Sequence, residues 1–202
     1  MHRRNTKKMA RKSIDLLYST PDEWTQSALD NFDLFLADHA NCERKASALA
    51  MSFVVRYPDK LEIIPQLIDL AKEELEHFEE TYQVMQERGL QLIKDIPDPY
   101  VNELLGHARH GREERFIDRM LIASVVEQRG AERFGMIAKA HPEKEIREFY
   151  ERLYKGELKH AHVFVHMLLK YVDEDTVYKR LAEINAMEAE IVQRLEYRGT
   201  LH

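Results

Sequence analysis

Apolar residues recur along this chain every three to four positions, the period of a helix with one buried face. The first such stretch opens at Thr20-Pro21-Asp22-Glu23. Thr20 reads as an N-cap, Pro21 as the first helical residue and Glu23 as the acid that answers the cap. It runs to about Arg56 with a stripe of Phe32, Leu36, Ala40, Ala46, Ala50 and Phe53, and Tyr57-Pro58-Asp59 breaks it. The second runs from Pro65 to Arg88 with Leu67, Leu70, Ala71, Phe78, Val84 and Met85 on one side, and Gly89 closes it. Residues 90–112 hold Pro97, Pro99, Gly106 and Gly111, with room for one short helix, and read as a long crossover. Three more helical stretches follow, from about Arg112 to Ala140, from Pro142 to near Lys170, and from Asp173 to about Arg198. The pattern predicts an all-α fold: a four-helix bundle with a long crossover between helices two and three and an extra C-terminal helix.

Composition narrows this further. A chain of 202 residues suits one domain, and with only 7 Gly and 6 Pro it lacks the turns of an all-β sandwich or barrel. The net charge of −6 is unevenly spread: Arg3, Arg4, Lys7, Lys8, Arg11 and Lys12 are six of the 30 basic residues, so the rest is more acidic than the total. We therefore expect a flexible basic arm over residues 1–19 and a single domain over 20–202. Cys42 is the lone cysteine, which excludes an internal disulfide framework or a Cys-rich metal site. No apolar run reaches the roughly 18 residues of a membrane span. A cytoplasmic protein is expected.

The chemistry lies inside the apolar stripes. Glu74 and His77 interrupt that of the second helix, and Glu157 and His160 that of the fourth. Each is a Glu-x-x-His pair, which a helix places one turn apart on one face. One such pair means little, but each is preceded by a helix with an inward carboxylate: Glu43 lies 31 residues before Glu74, and Glu127 lies 30 before Glu157. The chain thus repeats a unit, and two copies face to face put four carboxylates and two imidazoles at mid-bundle. Buried carboxylates need neutralising partners. Two divalent cations balance four carboxylates and leave each metal one imidazole, a mixed O/N set that suits iron or manganese. Neighbouring Glu73, Glu76, Glu79 and Glu80 fall off the stripe and read as a solvated face.

These residues resemble the ferritin-like di-iron carboxylate superfamily. More closely, Asp38-His-Ala-Asn-Cys-Glu-Arg-Lys-Ala46, Glu73-Glu-Leu-Glu-His-Phe78, Asp118-Arg-Met-Leu-Ile-Ala123, Glu127-Gln-Arg-Gly-Ala-Glu-Arg-Phe134 and Glu157-Leu-Lys-His160 are similar to its bacterial tRNA hydroxylase family. The resemblance covers residues 20 to 195. Gly130 departs from it, standing where Ser or another small residue is expected. The resemblance implies two irons (manganese or zinc as substitutes) on Glu43, Glu74, His77, Glu127, Glu157 and His160. It implies O2 as co-substrate and tRNA as partner, with hydroxylation of the isopentenyl group of 2-methylthio-isopentenyladenosine beside the anticodon. No flavin, haem or iron–sulfur motif is present, so electrons must come from a donor protein.

Other residues have weaker claims. His39, one turn before Glu43, is a candidate support for it or a core histidine. Cys42 reads as a small core residue, and Tyr154, one turn before Glu157, as a packing tyrosine or a redox one. For RNA, Arg44, Lys45, His107, Arg109, His110, Arg112 and Arg115 form the candidate patch, against the plainer reading of a solvated loop. A competing function is iron oxidation, storage or peroxide handling of the ferritin or rubrerythrin kind. A third is a metal-free helical interaction module.

Overall fold

A computed structural model describes residues 14–202. The basic residues of the expected arm lie outside the described residues. The arm's expected boundary at 19 does not hold, because residues 14–19 pack on the bundle. Ile14 is buried in the core, Asn185 donates to the Asp15 carbonyl at 3.3 Å, and Arg129 donates to the Tyr18 carbonyl at 2.8 Å.

The described residues form seven helices and no strand: α1 (Asp22–Asp30), α2 (Phe32–Arg56), α3 (Ile64–Glu87), α4 (Pro99–Gly106), α5 (Arg112–Ala140), α6 (Lys144–Leu168) and α7 (Glu174–Gln193). The first predicted helix is therefore two, separated at Asn31, where the backbone leaves helical geometry. The break aims α1 at α5, so that Trp24 is buried, stacks beside Arg133 at 5.0 Å and donates to the Thr200 carbonyl at 3.3 Å. Thr20 does not cap α1. Pro21 holds that position without a side-chain bond. The Thr20 hydroxyl donates instead to Glu132 at 2.6 Å and accepts from Arg129 at 3.0 Å. Tertiary partners outcompeted the local cap.

Other boundaries follow local chemistry. Gly89 takes φ +71°, the left-handed region a side chain disfavours. Leu90 N–H then reaches back to the Met85 carbonyl at 2.9 Å and ends α3. Asp98 caps α4 by accepting from the amides of Tyr100 and Val101 at 2.9 and 3.2 Å. Asp173 caps α7 at Thr176 N–H, 2.9 Å. The fourth predicted helix starts at Lys144 rather than Pro142.

Helix α2 packs along α3, and α5 along α6; the two hairpins close into the bundle, and α7 lies across α4 and α5. The core divides into two apolar blocks. One gathers Phe53, Leu67, Phe116 and Phe164, the other Phe35, Phe134, Tyr150 and Leu153. Along each of α2, α3, α5 and α6, the acidic and imidazole positions fall where the chain passes from one block to the other. Apolar burial above and below thus holds a polar layer that could not stabilise itself.

A second polar layer ties α5 to α7. The Arg129 and Glu188 side chains are both fully buried and meet through two N–H···O bonds of 2.8 and 2.9 Å. The Tyr100 hydroxyl donates to the same carboxylate at 3.1 Å. Arg133, one turn on, is also fully buried; it donates to the Leu201 carbonyl. Burial, then the adjacent Arg129 charge, pulls the Arg133 guanidinium down to about 10.

Candidate metal centre

Helical spacing brings Glu74, His77, Glu157 and His160 together, with one ligand atom from each lying within 4.8 Å of all the others. Glu74, Glu157 and His160 are buried, and His77 is half-buried. The imidazoles cross between hairpins. His77 Nδ1 is 2.9 Å from Glu157 Oε1, and His160 Nδ1 is 2.8 Å from Glu74 Oε1 and 3.1 Å from Glu157 Oε2. Glu43 joins from α2, its Oε2 lying 3.7 Å from His77 Nδ1. Glu127, on α5, lies against the Glu157 carboxylate.

One of these contacts, His160 Nδ1 to Glu157 Oε2, is a hydrogen bond; most of the others are close without being one. Both Glu74 oxygens, Glu157 Oε1 and His77 Nδ1 are buried without a hydrogen-bond partner. They crowd one shared space at separations of 2.8 to 3.7 Å without meeting the geometry of a hydrogen bond. Buried polar atoms are otherwise almost always satisfied. A cation in that space would satisfy all of them, and two divalent ions would balance the charge of Glu43, Glu74, Glu127 and Glu157. The donor set therefore fits a two-metal centre.

Without metal, protons take the place of cations. Burial opposes charge on His160, but the adjacent Glu157 and Glu74 carboxylates outweigh it, and the imidazole is pushed up to about 12. His77 is raised in the same way, against burial, by Glu157, Glu43 and Glu74. Burial, then the Glu157 charge, raises the Glu74 carboxyl to about 7. Burial and the charges of Glu74 and Glu157 push Glu127 well above the carboxylate range. Glu157 moves the other way: burial would raise it, yet the adjacent His160 and His77 imidazoles hold it low.

Supporting residues complete the site. His39 is fully buried; its Nε2 donates to Glu43 Oε1 at 2.7 Å and its Nδ1 accepts from the Tyr150 hydroxyl at 3.1 Å. Burial and the Glu157 charge press Glu43 upward, but the bond from His39 and the nearby His77 imidazole outweigh them and hold it low. Glu73 is partly solvated but also reaches inward. Its carboxylate accepts from His160 Nε2 at 3.1 Å and from Lys159 at 2.7 Å. It thereby fixes which nitrogen of His160 faces inward. Periodicity places Glu73 off the stripe, and only its adjacency to Glu74 hinted that it could reach across to α6. The two imidazoles differ here, since a side-chain carbon on Gly156 would lie 3.1 Å from His77 Cε1. His77 thus packs on bare backbone where His160 meets an acid.

The remaining candidates divide. Cys42 lines a cavity, and burial with the nearby Asp38 charge pushes its thiol well above the ordinary value, so it is no nucleophile at neutral pH. Tyr154 packs its ring against Gly135. Arg109 is held in a fork by buried Asp118 at 2.8 Å, shared with Arg180. Arg112 pairs with Asp59 and Glu113. Arg44 donates to Asn41 at 2.9 Å and Lys45 to Asp95 at 2.8 Å. His107 ends α4, its carbonyl accepting from Arg180, and His110 and Arg115 are exposed.

The cavity has a volume of about 490 Å³ and reaches Glu43, Glu127 and Glu157. Its walls are largely apolar: Ala46 and Leu49 from α2, Val101 and Leu105 from α4, Ile122 and Val126 from α5. Lys45, Asp95 and Arg119 stand where it meets solvent. It is a largely apolar slot that reaches the carboxylates, of a size for a small group.

Comparison with known proteins agrees with this chemistry. The chain is 31% identical over 174 residues to a tRNA 2-(methylsulfanyl)-N(6)-isopentenyladenosine(37) hydroxylase of Pseudomonas putida, covering 86% of this chain and 84% of that one. A Salmonella typhimurium protein of the same description is 24% identical over 222 residues, covering 86% and 82%. A solved Synechococcus protein, described as having aldehyde deformylating oxygenase activity, superposes with a TM-score of 0.87 at 28% identity over 93% of this chain and 94% of that one. The family model of tRNA-(MS[2]IO[6]A)-hydroxylase (MiaE) matches residues 8–202, and the chain belongs to that family.

Proposed function

We propose that this protein is a di-iron monooxygenase that hydroxylates the isopentenyl group of 2-methylthio-isopentenyladenosine in tRNA. The observation that carries this reading is the set of buried, mutually unbonded carboxylate and imidazole atoms at the inner end of an apolar cavity. Glu43, Glu74, His77, Glu127, Glu157 and His160 would together hold the two irons. Manganese or zinc could substitute structurally. The loaded, reduced pair supplies O2 activation.

The chain's own residues do the rest. The Tyr150–His39–Glu43 relay holds Glu43 ionised and oriented. Glu73 holds the proton on His160 Nε2, leaving Nδ1 to face the centre. Leu49, Val101, Ile122 and Val126 receive the isopentenyl group and exclude water from the carboxylates. Hydroxylation places one oxygen atom of O2 in a C–H bond and reduces the other to water, consuming two electrons and two protons. A donor protein must supply those electrons, since a lone cysteine cannot hold an iron–sulfur cluster. No helix among the described residues is long and apolar enough to cross a membrane, and a tRNA substrate places the work in the cytoplasm.

Metal analysis tests the assignment. Protein purified with iron available should hold about two irons per chain, the number that balances four carboxylates. Glu74→Ala with Glu157→Ala should lose them while circular dichroism stays helical. A folded wild-type chain that takes up no metal under anaerobic iron loading would sink the proposal.

A further inference from the structure

Many of the described arginines have an acid in reach. Arg109 and Arg180 share Asp118, Arg129 holds Glu188, Arg88 holds Glu143, Arg152 meets Glu80 and Arg194 meets Glu103. Three do not. Among the described residues, Arg56, Arg115 and Arg119 have no carboxylate at ion-pair distance, and they are neighbours. Arg119 is half-buried, lies over the Phe53 ring at 5.3 Å and lines the outer part of the cavity. Arg56, in the last turn of α2, and Arg115, one turn before Arg119 on α5, are exposed beside it. Burial first, then the charges of Arg56 and Arg115, make Arg119 less basic than an ordinary arginine.

Three like charges side by side repel, and one of them also loses water. No carboxylate among the described residues pairs with any of the three. The arrangement makes sense if an external polyanion does so. Position identifies the polyanion. Arg115, Arg119, Ala123 and Glu127 are spaced four apart and form one stripe of α5, from the surface to the candidate metal centre. Arg119 to Glu127 spans eight residues, about 12 Å of helix. A group bound at Arg119 is therefore joined to the occupant of the cavity at nucleotide scale.

We propose that Arg119, with Arg115 and Arg56 beside it, binds backbone phosphates flanking the modified nucleotide while its isopentenyl group occupies the cavity. This rests on the tRNA hydroxylase reading and adds the surface that holds the RNA. The guanidinium fork suits phosphate oxygens. It also moves the RNA face from Arg109 and Arg112, which carboxylates already hold, to the rim of the cavity.

The test is binding of the full-length chain to a fluorescent anticodon stem–loop bearing 2-methylthio-isopentenyladenosine, read by anisotropy across a salt series. Arg119→Gln should weaken binding about tenfold, the worth of one lost charge-assisted contact. It should also flatten the slope of log K against log salt by about 1. Arg56→Gln with Arg115→Gln, on exposed positions that cannot disturb the core, should flatten it by about 2. Lys155→Gln, a surface control on α6, should change neither. Variants that bind within about twofold of the wild type with an unchanged slope would overturn the proposal. So would a variant that loses only its rate with the electron donor, which would mark the patch as a docking site for an acidic protein. Should the wild-type chain itself fail to bind this RNA, the tRNA reading falls and this proposal with it.

Discussion

Replacing Glu188 by Gln removes one charge and almost no volume, so the outcome isolates electrostatics. Glu188 and Arg129 are both fully buried and share two bonds of 2.8 and 2.9 Å. Breaking a buried pair from one side typically costs about 3–5 kcal/mol, because the remaining charge stays buried. Two features set the value here. Arg129 keeps Glu132, Thr20 and the Tyr18 carbonyl, which argues for the lower end. Arg133 lies one turn away with no carboxylate bonded to it, so removal of Glu188 leaves two guanidiniums facing one half-buried acid, which argues for the upper. We expect a loss of about 3–5 kcal/mol by urea denaturation. That corresponds to a fall of about 6–20 °C in Tm for a chain of this length. The double variant Arg129→Met with Glu188→Met should recover much of it, since replacing both partners by apolar groups is often neutral. A Glu188→Gln chain less than about 1 kcal/mol below wild type would refute the buried network as the tie between α5 and α7.

Three further predictions concern the site. Glu73→Gln weakens the acceptor for His160 Nε2, and iron or manganese affinity should fall about 10- to 100-fold by competition with a chelator; unchanged affinity would make Glu73 a bystander. Metal binding must expel the protons held on His77, His160, Glu74 and Glu127. Apparent manganese affinity should therefore rise steeply with pH through the Glu74 value of about 7, with protons released into weakly buffered solution; a flat profile from about pH 6 to 8 would contradict the proton accounting. Ala123→Phe fills the cavity one turn from Glu127; it should keep bound iron yet abolish hydroxylation, and loss of iron instead would show that the cavity wall also shapes the centre.

Much of this was legible because helices report their burial pattern. The ranges of α3 and α5 follow from stripes closed by Gly89 and opened after Gly111, and the spacing of Glu43, Glu74, Glu127 and Glu157 shows the repeated unit. What escaped depended on distant partners. Thr20 carries every local sign of a cap, yet its hydroxyl serves Glu132 and Arg129, more than 100 residues away. The break at Asn31 has no Pro or Gly to announce it. The pairing of Arg109 with Asp118 and of Arg112 with Asp59 depends on how the chain folds and not on local sequence. Arg119 drew no attention because an unpaired charge is visible only after the paired ones are known. Glu73 lies off the stripe but is long enough to reach around it.

The most direct test is oxygen transfer to tRNA. The iron-loaded chain, a chemical or protein reductant, labelled O2 and tRNA carrying 2-methylthio-isopentenyladenosine are combined, and the digested nucleosides are weighed by mass spectrometry. The account predicts that the modified nucleoside gains one oxygen atom, that the atom comes from O2, and that Glu74→Ala abolishes the gain. Unaltered nucleoside from protein shown to hold two irons and to bind the tRNA would contradict it.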